Sequence, residues 1–133
     1  MEFQTLLESR RSVRSYDASK TVTREQIKEI VEAGILAPSW KNSQTARYYC
    51  VIDEAAKEKF AKECLPEFNI NSSKGAGAYV ITTFVANRSG FDREGNPDNE
   101  CGNGWGYYDL GLHNENVILK AKELGLDTLV MGC

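Results

Sequence analysis

The chain of 133 residues has a single histidine, His113, and four cysteines, Cys50, Cys64, Cys101 and Cys133, none of them in a Cys-x-x-Cys pair. A zinc site needs clustered thiol and imidazole ligands at short fixed spacing, so the sequence encodes no such centre and no metal is expected. Positive charge is not in excess: 16 Lys and Arg stand against 19 Asp and Glu, a net charge of −3. Binding to a nucleic-acid backbone needs a basic face, which argues against that class of partner. No stretch approaches the roughly 20 apolar residues of a membrane span. The opening Met1-Glu2-Phe3-Gln4 has no basic segment followed by an apolar one, so a secretory signal is not expected either. Reduced thiols in a cytoplasmic protein are the reading that follows.

What is present is an ordinary globular composition, 41% hydrophobic and 26% charged, in a length suited to one domain with one core. Phe3, Leu6 and Leu7 give residues 2–10 the apolar stripe of a short helix. Residues 11–21 read as an extended loop. Thr23-Arg24-Glu25-Gln26 matches a capping box, with Val22 placed to staple onto Ile27. Ile27, Ile30, Val31, Gly34 and Ile35 follow at helical spacing until Pro38 stops the helix. Residues 48–52 read as a strand, and Asp53 caps a third helix reaching about Cys64.

Residues 66–74 read as irregular. The run from Tyr79 to Ala86 is nearly continuous in β-formers, which predicts a central strand covered on both faces. Residues 87–106 read as a long Gly-, Asn- and Asp-rich loop, a length usually tied to function or mobility. A long helix is expected over 107–124, apolar around most of its circumference and ended by Gly125. Leu126 to Met131 reads as a third strand. Alternating helices and strands place the chain in a mixed α/β or α+β class.

Two segments carry chemistry. Arg10, Arg11 and Arg14 flank Ser12 at the end of the first helix, and guanidinium groups grip phosphate through paired charge-assisted hydrogen bonds. The blander alternative is that these arginines only complement the helix dipole. Pro38-Ser39-Trp40-Lys41-Asn42-Ser43-Gln44 places hydroxyl and amide groups on a turn, suited to the donor and acceptor edge of a flavin. An ordinary self-satisfied polar turn is the alternative there.

In register, Arg10-Arg11-Ser12-x-Arg14-x-Tyr16, then Ala37-Pro38-Ser39-x-x-Asn42-x-Gln44, then Asp109-x-Gly111 through Asn116, Leu119, Ala121 and Leu124-Gly125-Leu126 resemble the nitroreductase family. The resemblance runs over essentially the whole chain. It implies an α+β, three-layer fold with a mixed sheet flanked by helices, a long buried central helix and a homodimer. It further implies FMN as cofactor, NADH or NADPH as donor, and a small organic acceptor such as a nitroaromatic or quinone, served in ping-pong order.

By that resemblance Arg10 and Ser12 would contact the FMN phosphate and ribityl chain, and Arg14 the pyrimidine edge. Arg11 lies in the motif with its side chain free to point away. Pro38, Ser39 and Asn42 would come from the partner subunit, with Gln44 orienting their loop. Backbone amides of the segment ending in Val130, Met131 and Gly132 would lie beside the isoalloxazine. The chemistry is then the flavin's, and no acid–base pair is expected.

Two departures stand out. Gln44-Thr45-Ala46 replaces the family's usual Gln-Pro-Trp, which predicts a looser turn or a roomier pocket. The family's further C-terminal strand, basic residues and tail have no counterpart, so residues 1–133 read as a fragment in preference to a variant with a weakened phosphate site. Alternatives kept open are a specialised flavin-dependent relative such as a reductive dehalogenase, and a flavin-binding protein without turnover. Trp105, Tyr107 and Tyr108 either line the substrate face or pack at a helix start. His113 reads as a core or interface residue, and Cys101 as an incidental thiol.

Overall fold

Capping, periodicity and one close helix–helix contact set the architecture. In a computed structural model describing residues 1–132, the elements run α1 (Phe3–Ser9), α2 (Arg24–Ile35), a single 3-10 turn (Trp40–Asn42), β1 (Ala46–Val51), α3 (Glu54–Cys64), α4 (Glu67–Ser72), β2 (Tyr79–Phe84) and α5 (Gly104–Glu123). The capping box of α2 forms in both directions: Gln26 N–H donates to Thr23 Oγ1 at 3.1 Å, and Thr23 N–H to Gln26 Oε1 at 3.0 Å. Asp53 caps α3 by accepting from Ala56 N–H at 3.0 Å.

Helix α2 buries Ile27, Ile30 and Gly34, one stripe at helical spacing, against α5. Ile30, Val117 and Ala121 form the core, with Tyr48, Leu124 and Leu126 packed around them. A Cβ at Gly34 would lie 2.8 Å from Val117 Cγ2 and 2.9 Å from the Tyr48 hydroxyl, so glycine sets how closely α2, α5 and β1 approach. Helix α5 ends in a Schellman motif. Leu126 N–H reaches Ala121 O at 2.9 Å, Gly125 N–H reaches Lys122 O at 3.0 Å, and Gly125 takes a positive φ of 78°. That turn folds Leu126 back onto the core.

The α+β class holds, with several local differences from expectation. Strand β2 pairs only with β1, antiparallel with Tyr48 opposite Thr82, and no described strand lies on its other edge. The stretch Leu126 to Met131 makes one parallel bridge, Thr128 to Ser12, in place of a third strand. The sheet among the described residues is therefore two antiparallel strands, not the mixed sheet expected, and the parallel bridge stands apart from it. Residues 67–72 form a helix where irregular chain was expected. Helix α5 starts earlier than expected, at Gly104, and within the single chain buries the face carrying Gly106, Asp109, Leu110, His113, Val117 and Ala121. Tyr107 and Tyr108 are 70% and 61% exposed. No helix among the described residues is long and apolar enough to cross a membrane.

Candidate functional site

Helix α1 ends where Arg10 N–H bonds back to Leu6 O, and the chain leaves it in extended conformation. Ser12 then bridges Thr128, and Val13 N–H donates to Thr128 O at 3.0 Å. This pairing brings the arginine motif beside the segment carrying Val130, Met131 and Gly132. Arg11 turns back on its own chain, donating to Glu8 O at 2.6 Å and Arg10 O at 2.7 Å. Arg10 and Arg14 enter no ion pair among the described residues. Their guanidinium groups therefore keep their full capacity for an anion.

Two more groups frame this half. Asn69, 3% exposed, donates from Nδ2 to Gly132 O at 2.8 Å, and its own carbonyl accepts from Ser73 Oγ at 2.7 Å. Ser73 Oγ also lies 2.9 Å from the Tyr79 hydroxyl. This buried relay fixes the end of the 128–132 segment, while Val130 is 73% exposed. Tyr16 donates its hydroxyl proton to Val13 O at 2.9 Å. Burial, then the negative charges of Asp127 and ionised Tyr79, push its phenol above the usual value, with Arg14 opposing. Nothing in the sequence of residues 66–74 pointed to Asn69; its partner is 63 residues away.

The second segment is anchored elsewhere. Trp40 N–H donates to both carboxylate oxygens of Asp109, at 3.0 and 3.1 Å. Ser39 Oγ accepts from Gln44 N–H at 3.0 Å, and Gln44 Nε2 donates to Asn42 Oδ1 at 3.1 Å. Lys41, Asn42 and Gln44 all adopt positive φ, between 45° and 55°. Such left-handed backbone at non-glycine residues costs on the order of 1–3 kcal/mol each and clusters at functional sites. The looser turn expected from Thr45-Ala46 is not what forms. Thr45 is 2% exposed, its carbonyl accepts Val85 N–H at 2.9 Å, and Arg47 braces Gln44 O at 3.0 Å.

Around this turn Trp40, Trp105 and Tyr108 form an aromatic group, with ring centroids 6.4 and 6.1 Å apart in successive pairs. Lys41 stands 4.3 Å over the Trp40 ring and pairs with Asp98 at 2.9 Å. His113 Nδ1–H donates to Asp109 O at 2.7 Å from a buried position, which fits a structural residue. Cys101 is exposed, and its amide bonds Asn99 Oδ1. The described residues contain no cluster of three or more metal-ligating side chains.

The structure thus pairs the backbone of Ser12 and Val13, between Arg10 and Arg14, with Thr128, and holds Ser39, Asn42 and Gln44 as a separate turn. No hydrogen bond or ion pair links the two groups among the described residues. The turn is tied to Asp109, near the start of α5, whereas the arginine segment is tied to Thr128, beyond its end. Helix α5 rises roughly 20 Å between Asp109 and Glu123 at 1.5 Å per residue.

Residues 7–133 match the Nitroreductase family, and the chain belongs to it. YdgI of Bacillus subtilis, provisionally named an NAD(P)H nitroreductase, is 35% identical over 84 residues, 63% of this chain and 39% of that protein. MhqN of the same organism, named likewise, is 33% identical over 72 residues, 54% of this chain and 35% of that protein. The chain therefore aligns with well under half the length of these relatives. Among solved structures, a provisionally named nitroreductase from Desulfovibrio desulfuricans in complex with FMN superposes with a TM-score of 0.73 at 26% identity. That match covers 97% of this chain and 67% of the other.

Proposed function

We propose that this chain binds FMN between two copies of itself and acts as an NAD(P)H-dependent oxidoreductase toward a small organic acceptor, nitroaromatic- or quinone-like. The carrying observation is the pairing of two arginines free of ion pairs with the 128–132 segment through Ser12, Val13 and Thr128. Family membership and the FMN in the Desulfovibrio relative support the choice of cofactor.

The residues fit the group. Arg10 and Ser12 offer charged and hydroxyl donors to a phosphate, and Arg14 a cation to the pyrimidine edge. Val130, Met131 and Gly132 follow the Thr128 bridge, Asn69 holds the Gly132 carbonyl, and a Cβ built on Gly132 meets no atom within 4 Å. Bound FMN would supply the hydride and electron chemistry, and the protein position and charge. Arg14 would place a cation beside that edge, which would favour the two-electron chemistry of a bound flavin. Donor and acceptor would use the same face in turn, a ping-pong order.

The anchoring of the Pro38–Gln44 turn apart from the arginine segment supports a site completed by Pro38, Ser39 and Asn42 of a second subunit, with Gln44 bonded into its own turn. Free Cys50, Cys64 and Cys101 are in keeping with a reducing, cytoplasmic setting. Purified full-length protein is expected to be yellow, and to bleach anaerobically on addition of NADH or NADPH. Colourless protein that takes up no added FMN would overturn the reading.

A further inference from the structure

Between the Trp40–Gln44 turn and the loop that follows β2 lies an open cleft of about 740 Å³. Trp40, Lys41 and Ser43 line one wall, and Arg88, Phe91 and Arg93 the other. Trp40, Lys41 and Ser43 are chain neighbours of Ser39 and Asn42, so on the functional reading above the cleft borders the turn that serves the partner's flavin. The two walls come from segments far apart in sequence, and a single buried group touches both.

That group is Asp109, 2% exposed on α5. Its carboxylate accepts Trp40 N–H on both oxygens, and Oδ2 also accepts the hydroxyl of Ser89. Ser89 is 1% exposed and sits at the root of the second wall, next to Gly90, whose carbonyl accepts Asp98 N–H at 2.8 Å. No cation pairs with Asp109 among the described residues. A buried carboxyl group needs hydrogen-bond donors, and its donors here are the two wall segments. The strained backbone of Lys41, Asn42 and Gln44 needs an outside hold of this kind.

We infer that Asp109 is a positioning residue, which registers the flavin-facing turn through Trp40 and the acceptor-side loop through Ser89, and so is the buried tie between the cleft walls beneath the exposed Lys41–Asp98 pair. This role rests on the proposed FMN site for its effect on turnover, but not for its effect on the turn and loop themselves. Asp109→Asn is nearly isosteric and replaces one of the two acceptor oxygens by an amide donor. Ser89→Ala releases one wall only.

Amide hydrogen exchange of the full-length protein without added flavin is the first test. In Asp109→Asn, exchange is expected to rise at least fivefold in residues 40–44 and in 87–91, with α2 unchanged. In Ser89→Ala it rises in 87–91 alone. The second measurement uses FMN titration and menadione as acceptor. Ser89→Ala is expected to raise the menadione KM severalfold while FMN Kd moves less than twofold, whereas Asp109→Asn raises both. Wild-type exchange in 40–44 of Asp109→Asn, or a uniform rise that includes α2, would overturn the inference. A wild-type protein that takes up no FMN would defeat the functional reading instead, and the exchange pattern would still decide the role of Asp109.

Discussion

Val13 donates its amide proton to the carbonyl of Thr128 at 3.0 Å, and this bond makes one unit of two segments from opposite ends of the described chain. Arg10 and Arg14 flank the joint on one side, and Val130 to Gly132 continue it on the other. The candidate anion grip and the candidate flavin-facing backbone are thereby fixed relative to each other.

The three arginines should separate experimentally. Arg10→Ala and Arg14→Ala are each expected to weaken FMN binding by about 1–3 kcal/mol, the range for a hydrogen bond to a charged group. Arg11 is turned back on its own chain by its Nη1 bonds to Glu8 O and Arg10 O, so Arg11→Ala should leave the flavin titration within a factor of two. Equal losses in all three variants would remove the distinction.

A shared site predicts complementation. A hybrid dimer of one Arg10→Ala/Arg14→Ala chain and one Pro38→Ala/Ser39→Ala/Asn42→Ala chain contains one site with every substitution and one with none. It should bind one FMN per dimer with wild-type affinity, whereas each variant homodimer binds weakly. Two weak sites in the hybrid, read by flavin fluorescence, would place both halves in one chain.

Gly34 is expected to resist substitution. Alanine is better than glycine inside a helix by about 1 kcal/mol, but its methyl would meet Val117 Cγ2 at 2.8 Å. Overpacking costs about 1–3 kcal/mol, so Gly34→Ala should lower stability by about 1 kcal/mol net in urea denaturation. A stabilised variant would show that α2 and α5 can part cheaply.

Tyr48 carries a buried hydroxyl without a hydrogen-bond partner. Removing an unsatisfied buried polar group recovers part of its desolvation cost, so Tyr48→Phe is expected to raise stability by about 1 kcal/mol. Destabilisation on that scale would reveal an ordered water serving the hydroxyl.

Alkaline pH should unfold the protein in a tyrosine-dependent way. Burial raises the phenols of Tyr48 and, with the charge of Asp127 added, Tyr16. Their folded values exceed the unfolded value of about 10. The stability they contribute is therefore complete below that pH and is lost as pH rises through the folded values. The urea midpoint should begin to fall as pH approaches the unfolded phenol value of about 10 and keep falling above it, and less steeply in the Tyr16→Phe/Tyr48→Phe variant.

Local signals predicted local structure well. Thr23 and Gln26 cap α2 as their spacing requires, Asp53 caps α3, and Gly125 ends α5. Failures came where distant residues decide. Glu67 to Ser72 lacks a helical apolar stripe, and Asn69 at its centre is held by Gly132. The run Leu126 to Met131 has strand composition, but only Thr128 finds a bridging partner. At the site, the arginine and Pro-Ser-x-x-Asn motifs could be read directly. The use of Asp109 could not, because its partner Trp40 lies 69 residues away and both are joined by a backbone amide that leaves no mark on composition.

The Ser12–Thr128 bridge also has a consequence for biosynthesis. A contact that spans nearly the whole described chain carries a large loop-closure entropy and forms late in folding. On a ribosome, α1 and the arginine segment emerge first and wait for Thr128 to be translated. During that interval Phe3 and Leu7 of α1, exposed even in the folded chain, have not gained the anchorage that the bridge provides. Ribosome stalling before Thr128 would therefore leave an N-terminal segment open to chaperones and proteases.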